Sequence, residues 1–143
     1  MLAGIPSYGM TDVSRVLAET TTVVLVDWPS REVPDTLARR GFTVIANEGP
    51  ETYTVYEAHA GDVRTRSVNG LPQSAELVYA YRPIDELPDI VQTATSVGAT
   101  VVWLDSASDL APADVARARE LVEEAGFVFV TEPSILDATR ALR

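Results

Sequence analysis

The chain has 143 residues, 46% of them hydrophobic, and carries 21 acidic against 11 basic side chains for a formal charge of −10. That balance predicts a folded acidic domain spanning 1–143 and sets it against nucleic acid and anionic membranes, while the absence of any ~20-residue apolar run or secretory leader pattern predicts a cytoplasmic protein. With no cysteine, and with arginine as its only strong base, the sequence excludes disulfides, a thiolate nucleophile, thiolate-ligated metal, a lysine Schiff base and a Walker-type lysine.

In chain order, a helix is predicted from about Thr11 to Glu19, capped by Thr11 or Asp12, and then a strand, Thr22 to Val26. Ser30 is placed to cap a helix running to Arg40, and Gly41 stops it. Phe42 to Ala46 reads as the next strand, apolar on both faces as a helix-covered parallel sheet requires. The stretch Glu48 to Ser74 breaks the rhythm: Tyr53 to Glu57 and Val63 to Val68 alternate like short edge strands or a hairpin turning at His59 to Asp62. Leu77 to Tyr81 is a strand. After Pro83, the residues Leu87, Ile90, Val91, Ala94 and Val97 share one helical face, ended by Gly98 and followed by the strand Thr100 to Leu104. After Pro112, Val115, Ala118, Val122 and Ala125 repeat that pattern before Gly126 and the strand Phe127 to Val130. A last helix is predicted from about Glu132 to Leu142. Alternating strands and helices imply a Rossmann-like α/β fold, with a doubly wound, mainly parallel sheet of five to six strands and helices on both faces.

Several segments are similar to the coenzyme A-binding domain family. Tyr81-Arg82-Pro83, Leu87-Pro88-Asp89-Ile90-Val91 and Gly98-Ala99-Thr100-Val101-Val102-Trp103-Leu104 resemble that family's aromatic-Arg, "vPeiV" and "GAkavWlQ" pattern. Gly61 to Pro72 resembles its "GekvypSLadIP" segment, Arg40 to Ile45 its "hGYrVipVNP" strand, and Asn47 falls on the asparagine of that strand. The similarity covers about residues 12 to 135. It implies a fold related to the coenzyme A-binding half of succinyl-CoA synthetase, with ligand across the carboxyl ends of the first strands, beside the loops Asp27 to Arg31, Ala46 to Gly49 and Arg82 to Asp85. The chain departs from the pattern in one place above all. The family's glycine-led loop after the first strand becomes the shorter, glycine-free Asp27-Trp28-Pro29-Ser30-Arg31. A carboxylate there opposes phosphate, since like unit charges about 4 Å apart repel by roughly 4 kcal/mol near a protein surface. "WlQlG" becomes Trp103-Leu104-Asp105-Ser106-Ala107, a second acid in place of an amide, and the cysteine often found near the last strand has no counterpart around Thr131 to Pro133.

The resemblance and the crevice rule for open sheets together give the binding candidates Asp27, Trp28, Ser30, Arg31, Asn47, Tyr81, Arg82 and Pro83. Each has an ordinary structural alternative. Ser30 and Arg31 form an anion site at a helix start or are a plain cap and a solvated arginine. Arg82 either meets ligand where a buried strand ends or pairs with Asp85 or Glu86. Trp28 stacks on adenine or packs as a lid. Asp27 and Asp105 either converge on a divalent cation or cap the helix or turn after each of them, and no metal is assigned. His59 reads as a turn residue, Trp103 as core, and Glu120, Glu123 and Glu124 as a wet helix face.

No nucleophile, base and orienting group can be assembled, so catalysis is not expected. The leading expectation is a non-catalytic binding protein for coenzyme A, an acyl-CoA or another nucleotide. The alternative is a degenerate relative that has lost its ligand and works as a homodimer or partner-binding module, with Tyr53 and Tyr56 exposed on an edge strand.

Overall fold

The computed structural model describes residues 10–49, 51–70, 74–105 and 111–142, with the side chains of 10–12 outside that description. The element order is α1 (Met10–Ala18), β1 (Thr22–Leu25), α2 (Glu32–Arg39), β2 (Thr43–Gly49), β3 (Thr52–His59), β4 (Asp62–Asn69), β5 (Leu77–Tyr81), a 3₁₀ turn (Ile84–Glu86), α3 (Leu87–Val97), β6 (Val101–Asp105), α4 (Pro112–Glu124), β7 (Val128–Val130) and α5 (Ile135–Arg140). Thr11 and Asp12, expected as caps, both fall inside α1, which starts at Met10, and their side chains lie outside the description; Ser106 and Ala107 after the sixth strand lie outside the described residues.

All seven strands join one sheet in the order β4-β3-β2-β1-β5-β6-β7. β2, β1, β5, β6 and β7 run parallel, while β3 and β4 add antiparallel at one side. The α/β, mainly parallel architecture is the expected one, and its strand count exceeds five to six because the hairpin strands, eight residues each, both continue the sheet. Their turn is the one the sequence marks. Ala60 and Gly61 both take positive φ, 53° and 83°, as a two-residue turn matched to strand twist demands.

Period-two alternation splits the strands' side chains between two cores. Val23, Leu25, Val44, Leu77, Tyr79, Trp103 and Val130 pack with α1, α2 and α5. Val24, Ile45, Val78, Ala80, Val102, Leu104 and Phe129 pack with α3 and α4. Helices therefore cover both faces, which is why these strands are apolar throughout. Gly98 ends α3 in the left-handed conformation at φ 71°, so β6 can begin within three residues.

Several local expectations are corrected. Of the two hairpin strands the one at the sheet's edge is β4, whose residues are mostly exposed, whereas Tyr53 and Tyr56 lie on β3, between two neighbours, and are 8% and 6% exposed. Ala125 lies beyond the end of α4 and is exposed. Ala46 to Gly49 forms no loop, because β2 runs on to Gly49 to pair with β3. The last helix starts at Ile135, where Ser134 accepts a hydrogen bond from the Asp137 amide. Trp103 is core, fully buried, with an indole nitrogen that has no hydrogen-bond partner.

Candidate functional site

The chain moves from β1 through α2 to β2 in one direction, and from β5 through β6 to β7 in the other. The order reverses between β1 and β5, where main-chain connections leave the sheet on opposite faces; in open parallel sheets the ligand crevice lies at such a point, beyond the carboxyl ends of the strands. Three segments meet there: Val26 to Trp28 after β1, Arg82 to Glu86 after β5, and Asp105 at the end of β6. Backbone hydrogen bonds hold them in register, Tyr81 N–H to the Asp27 carbonyl at 3.0 Å and Arg82 N–H to the Asp105 carbonyl at 3.2 Å.

At the centre is the Asp27 carboxylate. Its Oδ1 accepts from the Trp28 N–H at 2.9 Å and its Oδ2 from Arg82 Nη1 at 3.1 Å. Arg82 also donates to Glu86, Nε to Oε1 at 2.9 Å and Nη2 to Oε2 at 2.5 Å, a fork-to-fork geometry. The 3₁₀ turn makes this pairing local, since it places Glu86 one helical turn after Arg82. Hydrogen bonds to Glu86 and then to Asp27 raise the Arg82 pKa above its already high ordinary value. The bond from Arg82 in turn holds Glu86 below the usual carboxylate range. The Arg82 side chain is 38% exposed, so solvent reaches the cluster.

Asp105 is the inner wall. It accepts from the Tyr79 hydroxyl at 2.6 Å and from the Ile135 amide at the start of α5. Burial raises its pKa against the lowering effect of those two bonds. Burial and the Asp105 carboxylate push the Tyr79 hydroxyl far above its ordinary value. Asp27 and Glu86 thus share a single arginine, two carboxylates on one cation.

The other candidates separate from this centre. Trp28 is half-buried and packs on the α1, α2 and α5 core, as does Tyr81. Ser30 accepts from the Glu32 amide at 3.3 Å, and the cap position of α2 is Arg31, not Ser30, with no side-chain cap bond. Arg31 lies over the Tyr56 ring, 5.5 Å from its centroid, and 3.5 Å from Asp35. Asn47 Oδ1 accepts from the Gly49 amide at 3.1 Å within its own strand, beside the register shift of the β2–β3 pair. Pro83 is exposed and precedes the 3₁₀ turn.

Of the partners foreseen for Arg82, the structure selects Glu86 over Asp85 and adds Asp27. No local spacing reveals that second contact, since Asp27 and Arg82 are 55 residues apart. The pairing of Tyr79 with Asp105 was not foreseen either. Its available signal was the parallel register: Tyr79 lies opposite Trp103, so the side chain two places on, Asp105, shares its face.

Similarity to known proteins bears on the family and the fold. No curated protein matches the chain. Among solved structures, Prb, a protein redesigned for binding, superposes with a TM-score of 0.65 at 18% identity over 97% of this chain and 95% of its own. The protein cell-free ID.343 from Thermus thermophilus gives 0.65 at 16% identity over 95% and 100%. Both likenesses concern the fold. The family model described as CoA binding domain matches residues 22–138, from the first residue of β1 into α5 and so across every segment of the crevice, and the chain belongs to that CoA binding domain family.

Proposed function

We propose that this protein is a non-catalytic binding module for coenzyme A or an acyl-CoA, with Arg82 and the Trp28 amide as the anchor for the ligand's phosphates. One observation carries the reading: two donors of the kind that hold phosphate converge at the switch point on a single anion, the Asp27 carboxylate. Asp27 acts as an internal stand-in. A ligand diphosphate exchanges for it on donors already oriented, with Glu86 holding the Arg82 guanidinium in place. Among the described residues, the groups that meet at the crevice are carboxylates satisfied by donors and an arginine that stays charged, so they supply binding without a free nucleophile or base.

Calorimetric titration of coenzyme A into the protein and into Arg82→Ala tests this. Measurable binding that weakens by about tenfold to a hundredfold in the variant is the expected result, as for loss of hydrogen bonds to a charged group. Equal affinity in both proteins would remove Arg82 from the reading.

A second reading has its own observation, the loop after β1 that is short and without glycine. In it Asp27 is a permanent occupant, and the scaffold works through its surfaces, as a homodimer or on a protein partner. It predicts no heat with coenzyme A even for an Asp27→Asn variant, and a dimer or a stable complex in light scattering.

A further inference from the structure

Beside the charged mouth lies a hollow of about 230 Å³ on the α3 and α4 side. Ile84, Leu87, Pro88, Ala118 and Leu121 give it an apolar lining. Leu121 is the one large hydrophobic residue exposed among the described residues, at 41%. The hollow is too small for a nucleotide, whose pockets run from about 300 Å³ upward, yet larger than the ~150 Å³ that suffices for benzene. It therefore fits a short hydrocarbon chain. The partition from the mouth is a single segment. Glu86 clamps Arg82 while its neighbours Asp85 and Leu87 line the hollow, and Ile84 packs in the same core as Val26, next to Asp27.

Resting on the ligand reading above, we propose that this hollow receives the acyl chain of a short, neutral acyl-CoA, making acylated ligand preferred over free coenzyme A. The rim sets the chemistry of the tail. Asp114 and Arg117 pair with each other at 2.9 Å, leaving Asp85 as net negative charge at the entrance. A tail ending in methyl enters unopposed; one ending in a carboxylate meets Asp85 without a cation to spare.

The test is an affinity series of coenzyme A, acetyl-, butyryl-, hexanoyl- and succinyl-CoA on the protein and on Leu121→Asp. The exposed Leu121 can be replaced without disturbing the core. Each sheltered methylene is expected to tighten binding by about threefold to fourfold. Succinyl-CoA is expected to gain nothing over coenzyme A, and Leu121→Asp to flatten the neutral series while leaving coenzyme A itself unchanged. Affinity independent of chain length overturns the proposal. A phosphate-free thioester, S-hexanoyl-N-acetylcysteamine, followed by methyl NMR at millimolar concentration, separates the two sites. Shifts at Ile84 and Leu121 with no response to any coenzyme A would keep the hollow and discard the mouth, whereas undisturbed methyls would discard the hollow.

Discussion

The two ends of the parallel sheet each hold a carboxylate at the boundary of β1 and β5, and the two are held in different ways. At the amino end, Glu76 Oε1 accepts from the Thr21 amide and the Thr22 amide, each at 2.8 Å, and from the Thr21 hydroxyl at 2.9 Å. The backbone of Glu76 binds on both sides as well, donating to Thr22 and accepting from Thr100 and Val101, so this residue ties β1, β5 and β6 together. At the carboxyl end, Asp27 is held by one loop amide and by an arginine that a second carboxylate also grips. The Glu76 carboxylate is gripped by three donors from one strand start, two of them backbone amides, whereas Asp27 has one backbone donor and one side-chain donor. A carboxylate bonded to strand backbone is expected to act on stability, and one bonded to a half-exposed arginine on ligand affinity.

That contrast is broken most easily at Glu76. Glu76→Ala leaves two backbone amides without their acceptor and is expected to cost about 1–3 kcal/mol in urea unfolding; an unchanged midpoint would show the tie to be ornamental.

Asp27→Asn is expected to do the opposite kind of thing. Removing the like charge raises coenzyme A affinity by about tenfold, well within what a nearby charge supplies. Stability moves by less than about 1 kcal/mol, because the ion pair is half-exposed. Affinity that falls would mean Asp27 belongs to the binding surface itself.

A subtler separation comes from pH. Burial raises the Glu76 pKa, but the hydrogen bonds from Thr22 and Thr21 outweigh it, and the net shift is downward from 4.5. Its folded pKa is therefore depressed, its stabilisation is fully present above 4.5, and it fades as pH falls through the lower folded value. Asp105 runs the other way. Burial lifts its folded pKa above 3.8, so the charged form is penalised at neutral pH and the penalty lessens as acidification protonates it. Denaturant melts from pH 7 to pH 3 are expected to show the deficit of Glu76→Gln shrinking on acidification, and any advantage of Asp105→Asn shrinking likewise. Parallel curves for wild type and either variant would contradict the assignment for that residue.

The smallest effect is expected at Ser30. Its hydroxyl makes one 3.3 Å bond to an exposed amide, so Ser30→Ala should cost about 0.5 kcal/mol, the low end for a helix-start serine, with coenzyme A affinity unchanged. A large loss of affinity instead would extend the mouth to the start of α2.

How far these features could be read in advance depended on the range of the interaction. The strand Leu77–Tyr81 has the bounds its apolar run predicts, and the hairpin turn falls at Ala60 and Gly61, because an apolar run and a turn that takes positive φ at two residues are local signals. Arg82 with Glu86 was equally accessible, at helical spacing. Asp27 with Arg82 was not, nor was the use of Asn47 within its own strand, because β2 extends past Ala46 only by pairing with β3.

Hydrophobic periodicity, glycine stops and proline placement determined the α/β class, the parallel strands and the burial of Trp103, since each is a short-range consequence of side-chain period and backbone freedom. Only tertiary structure decided that β3 lies inside the sheet and that Asp27 meets Arg82. Those outcomes depend on which strands become neighbours, and strand order is set by packing across the whole chain.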